Sequence, residues 1–313
     1  MFYIKELKLQ NFCGYQSFHY KFGGEGSIKK WSMLYGPNGT FKTTFLNAVS
    51  LLSCPNALIG KYDPTTLLHK LTYSPNYLPG VGGGGGECGL NGDEANPFFK
   101  DMNVMIAEAL FCTDDGEYTV QITNNGIKEE SGITINELPQ GLRECTYFID
   151  ADHPNNLNGF RLRAEYADEF CDFCKEIYNL DCYLPKESLV GDLVDMETEE
   201  TIDYYGDFVI IKRNDYKVHY KSMSAGEQKL ATMVSLMFNY VYGDGDKKDS
   251  ILLIDNIELH VYFKRHMDVI KMMDKYFPAN QILATTHSPA LIDGMKPEYL
   301  IDMEDFISSW GKK

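Results

Sequence analysis

Basic residues are scarce. The 313-residue chain has 29 Lys and Arg against 45 Asp and Glu, a formal net charge of −16 at pH 7. Proteins that hold duplex DNA through its phosphates ordinarily present a basic surface. DNA is therefore not the favoured partner, and only a local basic groove would offer it a seat. Acidic excess fits solubility, or docking to a basic partner. Long apolar runs are also missing. None approaches the ~20 residues of a membrane span, and Met1-Phe2-Tyr3-Ile4-Lys5 lacks the basic-then-apolar layout of a secretion signal. The expectation is a cytoplasmic protein with no membrane partner. Cysteine pairs at regular spacing are absent. The eight cysteines are scattered, and without an export signal they are expected to be free thiols in a reducing compartment. No heptad pattern is sustained between Thr44 and Ser224, so a long coiled-coil arm is not expected. What remains is a composition of 44% hydrophobic and 24% charged residues. That is a soluble globular chain of one large or two ordinary domains.

One stretch organises the rest: Gly36-Pro37-Asn38-Gly39-Thr40-Phe41-Lys42-Thr43-Thr44. The apolar run Trp31–Tyr35 predicts a strand before it, and Phe45–Leu52 a helix after it. Strand, glycine-rich loop, Lys-Thr and helix form the context a P-loop requires. Unpaired backbone N–H groups at the helix N-terminus hold phosphate oxygens. Asn38, Gly39, Thr40 and Thr44 belong to that cradle. Lys42 would reach the β- and γ-phosphates of ATP, and the Thr43 hydroxyl would ligate Mg²⁺. Phe41 stands where the motif has a glycine. The plainer reading is a surface loop before a helix.

Before this loop, Phe2–Phe22 reads as two strands about a turn at Asn11–Tyr15. After the helix, Cys54–Pro97 is irregular and contains Gly82–Gly86, which cannot pack a side-chain core. It lacks the Lys-Thr of a second phosphate cradle. Asn103–Ala109, Glu117–Thr123, Ile133–Ile135 and Thr146–Ile149 read as strands, with turns at Asp114-Asp115-Gly116 and Asn124-Asn125-Gly126. Asp150, Asp152 and His153 read as a solvated turn ahead of a metal site. Arg161–Leu180 has helical character. It carries Cys171 and Cys174 one turn apart, with Cys182 beyond. One C-x-x-C without a second pair reads as ordinary thiols rather than zinc ligands. Leu193–Asp203 is acidic and expected to be exposed. Phe208–Lys212 and Lys217–Lys221 predict a hairpin. Its Lys212, Arg213, Lys217, His219 and Lys221 interleave with Tyr216 and Tyr220, which makes it the one candidate DNA contact.

The second half supplies more polar groups. Ser224 caps a helix predicted to run to about Tyr242, with Glu227 placed as in a capping box. The same N-terminus, with Gly226, could meet a phosphate. Ser250–Asp255 and Gln281–Thr286 are continuous apolar runs, as buried parallel strands are. Asp255 ends the first, where open α/β sheets bind ligands, and could join the Mg²⁺ shell beside Thr43. His287-Ser288-Pro289 follows the second.

In this order the stretches resemble the ATP-binding cassette (ABC) ATPases of the SMC, RecF and OLD group. Ile4–Tyr15 resembles the first strand and turn, and Gly36–Thr44 the Walker A loop. Met223–Gln228 resembles the signature motif, Ile251–Glu258 Walker B, and Thr285–Pro289 the switch-histidine loop. Asp255-Asn256-Ile257-Glu258-Leu259-His260 is similar to the form seen in the OLD-like, defence-associated branch. The middle of the chain matches only in general layout. The implied fold is an α/β ABC-ATPase head: a P-loop mixed sheet flanked by helices, an antiparallel β subdomain and a helical insert. Residues 1–160 would form an N-terminal lobe, 161–206 a helical and acidic insert, and 207–313 a C-terminal lobe.

The resemblance further implies a composite site. Ser224 and Gly226 of one copy would cap the γ-phosphate of ATP held by another, and His287 would sense it in cis. A homodimer or higher oligomer follows. Three positions depart from the family: Asn256 where the catalytic glutamate stands, Cys13 for an arginine, and Phe41 for glycine. An amide cannot take a proton from water, and Glu258 lies two residues further on. Slow or absent hydrolysis is the expectation. Gln121 is one candidate for the family's Q-loop glutamine. No nuclease motif is evident. By analogy with PARIS- and Septu-like systems, the expected role is an anti-phage ATPase that controls a separate effector such as a nuclease. The alternatives are a RecF-like DNA repair clamp and a scaffold with structural ATP.

Overall fold

The computed structural model describes residues 2–12, 15–24, 27–53, 105–124, 133–135, 146–150, 160, 162–178, 181–194, 201–212, 216–242, 250–259 and 261–307. Cys13, Gly82–Gly86, Asp152, His153, Arg213 and His260 lie outside them, as does the turn at Asn125-Gly126. In chain order the first strands are β1 (Tyr3–Phe12), β2 (Tyr15–Lys21), β3 (Gly23–Gly24), β4 (Ser27–Ile28) and β5 (Trp31–Tyr35). Helix α1 (Lys42–Ser53) precedes β6 (Met105–Thr113), β7 (Gly116–Asn124), β8 (Ile133–Ile135) and β9 (Thr146–Asp150). Next come β10 (Leu162–Arg163), α2 (Ala167–Tyr178), β11 (Asp181–Tyr183), β12 (Leu189–Val194) and β13 (Thr201–Tyr205). β14 (Val209–Lys212), β15 (Tyr216–His219) and α3 (Ala225–Tyr242) follow, then β16 (Ile251–Asp255) and α4 (His266–Tyr276). The last are β17 (Gln281–Thr286), α5 (Pro289–Gly294), β18 (Leu300–Asp302) and α6 (Glu304–Ile307).

These elements build two units from interleaved stretches. One takes Met1–Tyr3, Lys29–Leu46 and Cys145–Glu304; the other takes Ile4–Ile28, Asn47–Glu144 and Asp305–Lys313. The second contains a five-stranded sheet in the order β2-β1-β6-β7-β8, with every described pairing antiparallel. Leu7, Leu9 and Phe12 of β1 and Tyr15 and Phe18 of β2 are buried, while Lys8 and His19 face outward, so one face is core and the other is solvated. Gln121 belongs to this sheet, where its side-chain amide donates to Glu108 at 2.9 Å.

The first unit holds a five-stranded sheet ordered β18-β5-β17-β16-β9, and every pairing in it is parallel. The sheet expected to be mixed is thus parallel throughout its described strands, and the antiparallel ladders form sheets of their own. Both apolar runs, Ile251–Ile254 and Ile282–Ala284, are wholly buried. A strand covered on both faces needs side chains without charge at every position, not at every second one. The core of this unit adds an aromatic cluster in which Phe208 packs against Phe160, Phe170 and Tyr220, with ring centroids 4.8, 5.2 and 5.2 Å away.

Two segments differ from expectation. Of the stretch 161–180, Leu162–Arg163 is a strand, Ala164–Tyr166 a 3-10 turn, and the α-helix begins only at Ala167. Leu162 and Arg163 pair instead with Tyr205 and Tyr204 of β13, and the Arg163 N–H donates to the Asn239 side chain at 3.1 Å. Leu193–Asp203, expected to be a solvated acidic stretch, lends its ends to a ladder in which Leu193 faces Ile202 and Val194 faces Thr201. At Leu162 and Arg163 a partner distant in sequence satisfies the backbone, and local composition carries no trace of it.

Candidate functional site

The polar ends of β5, β16 and β17 meet at the carboxyl edge of the parallel sheet, where ligands bind in open α/β folds. From β5 the chain turns through Gly36 and Gly39, at φ +143° and +83°. A Cβ on Gly36 would come within 3.1 Å of the Thr40 hydroxyl, so a side chain there would crowd the turn as well as strain its backbone. Thr40 steadies it by donating to the Pro37 carbonyl at 2.9 Å. Phe41 occupies the left-handed region at φ +59°. That conformation is the one a glycine would hold at no steric cost, and Phe41 holds it at roughly 1–2 kcal/mol. Its carbonyl accepts from Phe45 N–H at 3.0 Å, which starts α1.

Lys42 opens α1 and is buried. Its ammonium donates to the carbonyls of Gly36 and Pro37, each at 2.9 Å, and so spans the loop. Burial pushes its pKa down, while the nearby carboxylates of Asp255 and Glu258 push it back up. Next to it, the Thr43 hydroxyl donates to Asp255 Oδ2 at 2.8 Å. The other Asp255 oxygen accepts from the Thr285 hydroxyl. Asp255 is buried, so these bonds replace the water it gives up on folding.

After Asp255 the chain reverses sharply. Asn256 sits at φ +54°, its N–H donates to the Thr285 hydroxyl at 2.8 Å, and its carbonyl accepts from Leu259 N–H at 2.9 Å. Asparagine tolerates this left-handed geometry better than any residue except glycine. A glutamate here would carry both strain and an altered side-chain direction. Asn256→Gly is therefore expected to leave stability within about 0.5 kcal/mol, whereas Asn256→Glu should cost about 1 kcal/mol and gain no fast hydrolysis. Denaturation midpoints and steady-state ATPase rates of both variants check this.

The reversal carries Glu258 to the switch loop. Its Oε1 accepts from the His287 backbone N–H at 2.7 Å, and its Oε2 is buried without a hydrogen-bond partner. Glu258 therefore ties the Walker B-like strand end to the histidine loop. Below that loop a second tie runs through His266. One ring nitrogen meets the Ser288 hydroxyl at 2.6 Å and the other the Val261 carbonyl at 2.9 Å. Ser288 also caps α5, accepting from Leu291 N–H at 3.3 Å.

An open cleft of about 330 Å³ results, lined by Asn38, Gly39, Thr40, Phe41, Lys42, Thr43, Thr44, Asn256 and His287. Asp255 and Glu258 are bonded to residues of its wall. Ser224 and Gly226 do not line it. They open α3, where Ser224 and Glu227 form a reciprocal capping box: Ser224 N–H donates to Glu227 Oε2 at 2.9 Å and Glu227 N–H to the Ser224 hydroxyl at 3.3 Å. Thr285 and His266 were not singled out from sequence. Thr285 could have been, as the polar end of a buried strand; nothing local marks His266.

The cleft fits ATP and Mg²⁺ by its donor set. Backbone amides and an ammonium suit phosphate, and the hard oxygens of Thr43 and Asp255 suit a small divalent cation. Among the described residues no three His, Cys, Asp or Glu side chains gather as a metal cluster. Such a cation would thus share its remaining ligands with phosphate and water. His219 and Lys221 lie 3.1 and 3.6 Å from the buried Asp207 carboxylate, and Lys217 lies over the Tyr183 ring.

Residues 143–293 match the family described as "AAA domain, putative AbiEii toxin, Type IV TA system". The chain is 22% identical over 299 residues to the Septu protein PtuA of Bacillus mycoides (strain KBAB4), covering 94% of this chain and 39% of that protein. Among solved structures it resembles the SMC head domain from Thermotoga maritima, with a TM-score of 0.52 and 14% identity over 94% of this chain and 92% of that one. It also resembles the Smc head domain with an extended coiled coil, bound to the C-terminal domain of ScpA, from Pyrococcus furiosus. There the TM-score is 0.55, with 12% identity over 99% of both chains. The fold is therefore that of SMC head domains, and the similarity to a Septu protein agrees with the resemblance read from the sequence.

Proposed function

We propose that this chain is the ATP-binding, ATP-dependent oligomerising subunit of an anti-phage defence system. It would control a separate effector, such as a nuclease, and turn ATP over slowly or not at all. One observation carries the reading: a lysine-spanned glycine loop and a Thr43–Asp255 pair converge at the carboxyl edge of one parallel sheet. Amides of Asn38, Gly39 and Thr40, with Thr44 at the start of α1, would hold phosphate oxygens. Lys42 would neutralise the terminal phosphates, and Thr43 with Asp255 would hold Mg²⁺, which screens phosphate charge when bound. His287 would meet the γ-phosphate, and Glu258 fixes the backbone that presents it. Asn256 supplies no base at the position where the family keeps one.

Ser224 and Gly226 stand away from the cleft of their own chain, which favours their use in trans, on the nucleotide of a second copy. The similarity to a Septu protein supports the choice of a defence role, although this chain spans 39% of that protein's length. A cytoplasmic location and an effector partner belong to the same reading. DNA clamping is disfavoured by the net charge of −16.

The test is assembly. Light scattering after gel filtration should show a larger species with Mg-ATP than without nucleotide. Ser224→Ala should remove that shift and cost about 1 kcal/mol through the lost cap. Identical masses with and without ATP, despite measured ATP binding, would reject the shared site. Turnover near the ordinary enzymatic scale of about 10 s⁻¹, lost on Asn256→Ala, would reject slow hydrolysis.

A further inference from the structure

A closed ring of hydrogen bonds joins the turn after Asp255 to the loop that carries His287. Glu258 Oε1 accepts from the His287 backbone N–H at 2.7 Å, and the Glu258 carbonyl accepts from Val261 N–H at 3.1 Å. The Val261 carbonyl meets His266 Nε2 at 2.9 Å, and His266 Nδ1 meets the Ser288 hydroxyl at 2.6 Å. Ser288 follows His287 in the chain, so the ring closes. A carbonyl only accepts, so in the neutral imidazole Nε2 carries the hydrogen and Nδ1 accepts from the Ser288 hydroxyl. The Ser288 oxygen keeps a lone pair for Leu291 N–H, the bond that caps α5. Both nitrogens of the buried His266 side chain are thereby paired.

We propose that His266, which does not line the cleft, is a positioning residue that lets the site tell ATP from ADP; the inference rests on the ATP-binding reading above. His287 is exposed at the cleft wall, where it would meet the γ-phosphate. Its backbone is gripped on two sides, at its own N–H by Glu258 and at the next residue by His266. The second grip is anchored in the core. α4 begins at His266 and buries Val269, Ile270, Met272 and Met273. Arg265, just before it, donates to the Glu176 carbonyl at 2.6 Å and to Asp268 at 3.3 Å. A loop ordered before the ligand arrives binds more tightly than one that must be ordered on binding.

The consequence is selective. ADP lacks the phosphate that His287 would meet, and the bonds that shape the glycine loop, from Thr40 and Lys42 to Gly36 and Pro37, include no member of the ring. Opening the ring therefore lowers affinity for the triphosphate and spares the diphosphate. His266→Phe keeps a flat ring but removes both polar atoms, which leaves the Val261 carbonyl and the Ser288 hydroxyl hydrogen without this partner. His266→Gln offers a donor and an acceptor flanking one carbon, as the two imidazole nitrogens do, and restores the link. Ser288→Ala opens the ring from its other side.

The experiment titrates the full chain calorimetrically with Mg-ADP and with the Mg complex of the β,γ-imido analogue of ATP, which keeps the terminal phosphoryl group. His266→Phe is expected to weaken the analogue by about tenfold, the scale of a hydrogen-bond loss, and to leave ADP within about twofold. His266→Gln should recover most of the difference. With His287→Ala already in place, His266→Phe should have no further effect on the analogue, because the two act as a unit. Hydrogen exchange of the nucleotide-free chain should quicken at residues 287–291 in the phenylalanine variant and not in the glutamine one. Ser288→Ala should reproduce the selective loss, which decides the matter even where His266→Phe fails to fold. An unchanged preference for the analogue over ADP, equal weakening of both nucleotides, or full additivity with His287→Ala would overturn the role of His266 alone. A parent chain that binds neither nucleotide would overturn the ATP-binding reading, and this role with it.

Discussion

Lys42→Ala is expected to weaken ATP binding by roughly 100-fold. Removing a charged hydrogen-bond donor costs about 1.5–3 kcal/mol, and each 1.4 kcal/mol is a factor of ten. The loss has two sources. The phosphates lose their cation, and the carbonyls of Gly36 and Pro37 lose the donor that spans the loop. Titration with a fluorescent ATP analogue measures the change, with circular dichroism confirming that the variant is folded. An affinity within threefold of the parent would remove Lys42 from the site.

A pH dependence accompanies it. Burial lowers the Lys42 pKa in the free protein, whereas a bound triphosphate would raise it again. Binding therefore favours the protonated form. Affinity is fully present below the lowered free-protein value and falls as pH rises through that value toward the ordinary lysine range. Stability of the free protein has the opposite slope. The buried ammonium costs most at low pH, and that cost is relieved as pH rises through the folded-state value. Lys42→Ala should flatten both dependences.

Phe208→Ala is expected to cost about 3–5 kcal/mol of stability, a large share of the roughly 5–15 kcal/mol that holds a domain together. Phe208 is fully buried, and three aromatic rings close on it. One of these, Tyr220, meets the Thr232 hydroxyl of α3 at 2.9 Å. The cavity therefore loosens the turn Tyr220–Ser222, which delivers Ser224 to its helix end. Urea denaturation should show the midpoint fall. Phe208→Leu should recover most of the loss, because it retains most of the buried volume. Equal stability of the Ala variant and the parent would mean that this cluster does not bear on the fold as its burial implies.

Legibility in the sequence tracked how local the physics was. The strand Trp31–Tyr35, the strand Gln281–Thr286 and the hairpin of β14 and β15 were readable because alternation, turn residues or continuous burial stamp the sequence itself. The capping box of Ser224 and Glu227 was readable because its partners lie one helical turn apart. The start of α2 at Ala167 was not, since residues from β13 and α3 claim the preceding backbone. The ladder of β12 and β13 hid because an acidic stretch shows no alternation of apolar residues, although its pairing is local.

The sequence by itself determined the polar inventory of the cleft: the glycine loop, Lys42, Thr43, Asp255, Asn256, Glu258 and His287, each at the end of a recognisable strand or the start of a helix. Only the tertiary structure decided how they act on one another. It set Asp255 between two threonine hydroxyls and gave Glu258 the His287 amide. Residue type and spacing are properties of the chain, whereas a hydrogen bond spanning tens of residues exists only once the core has fixed the distance between its ends.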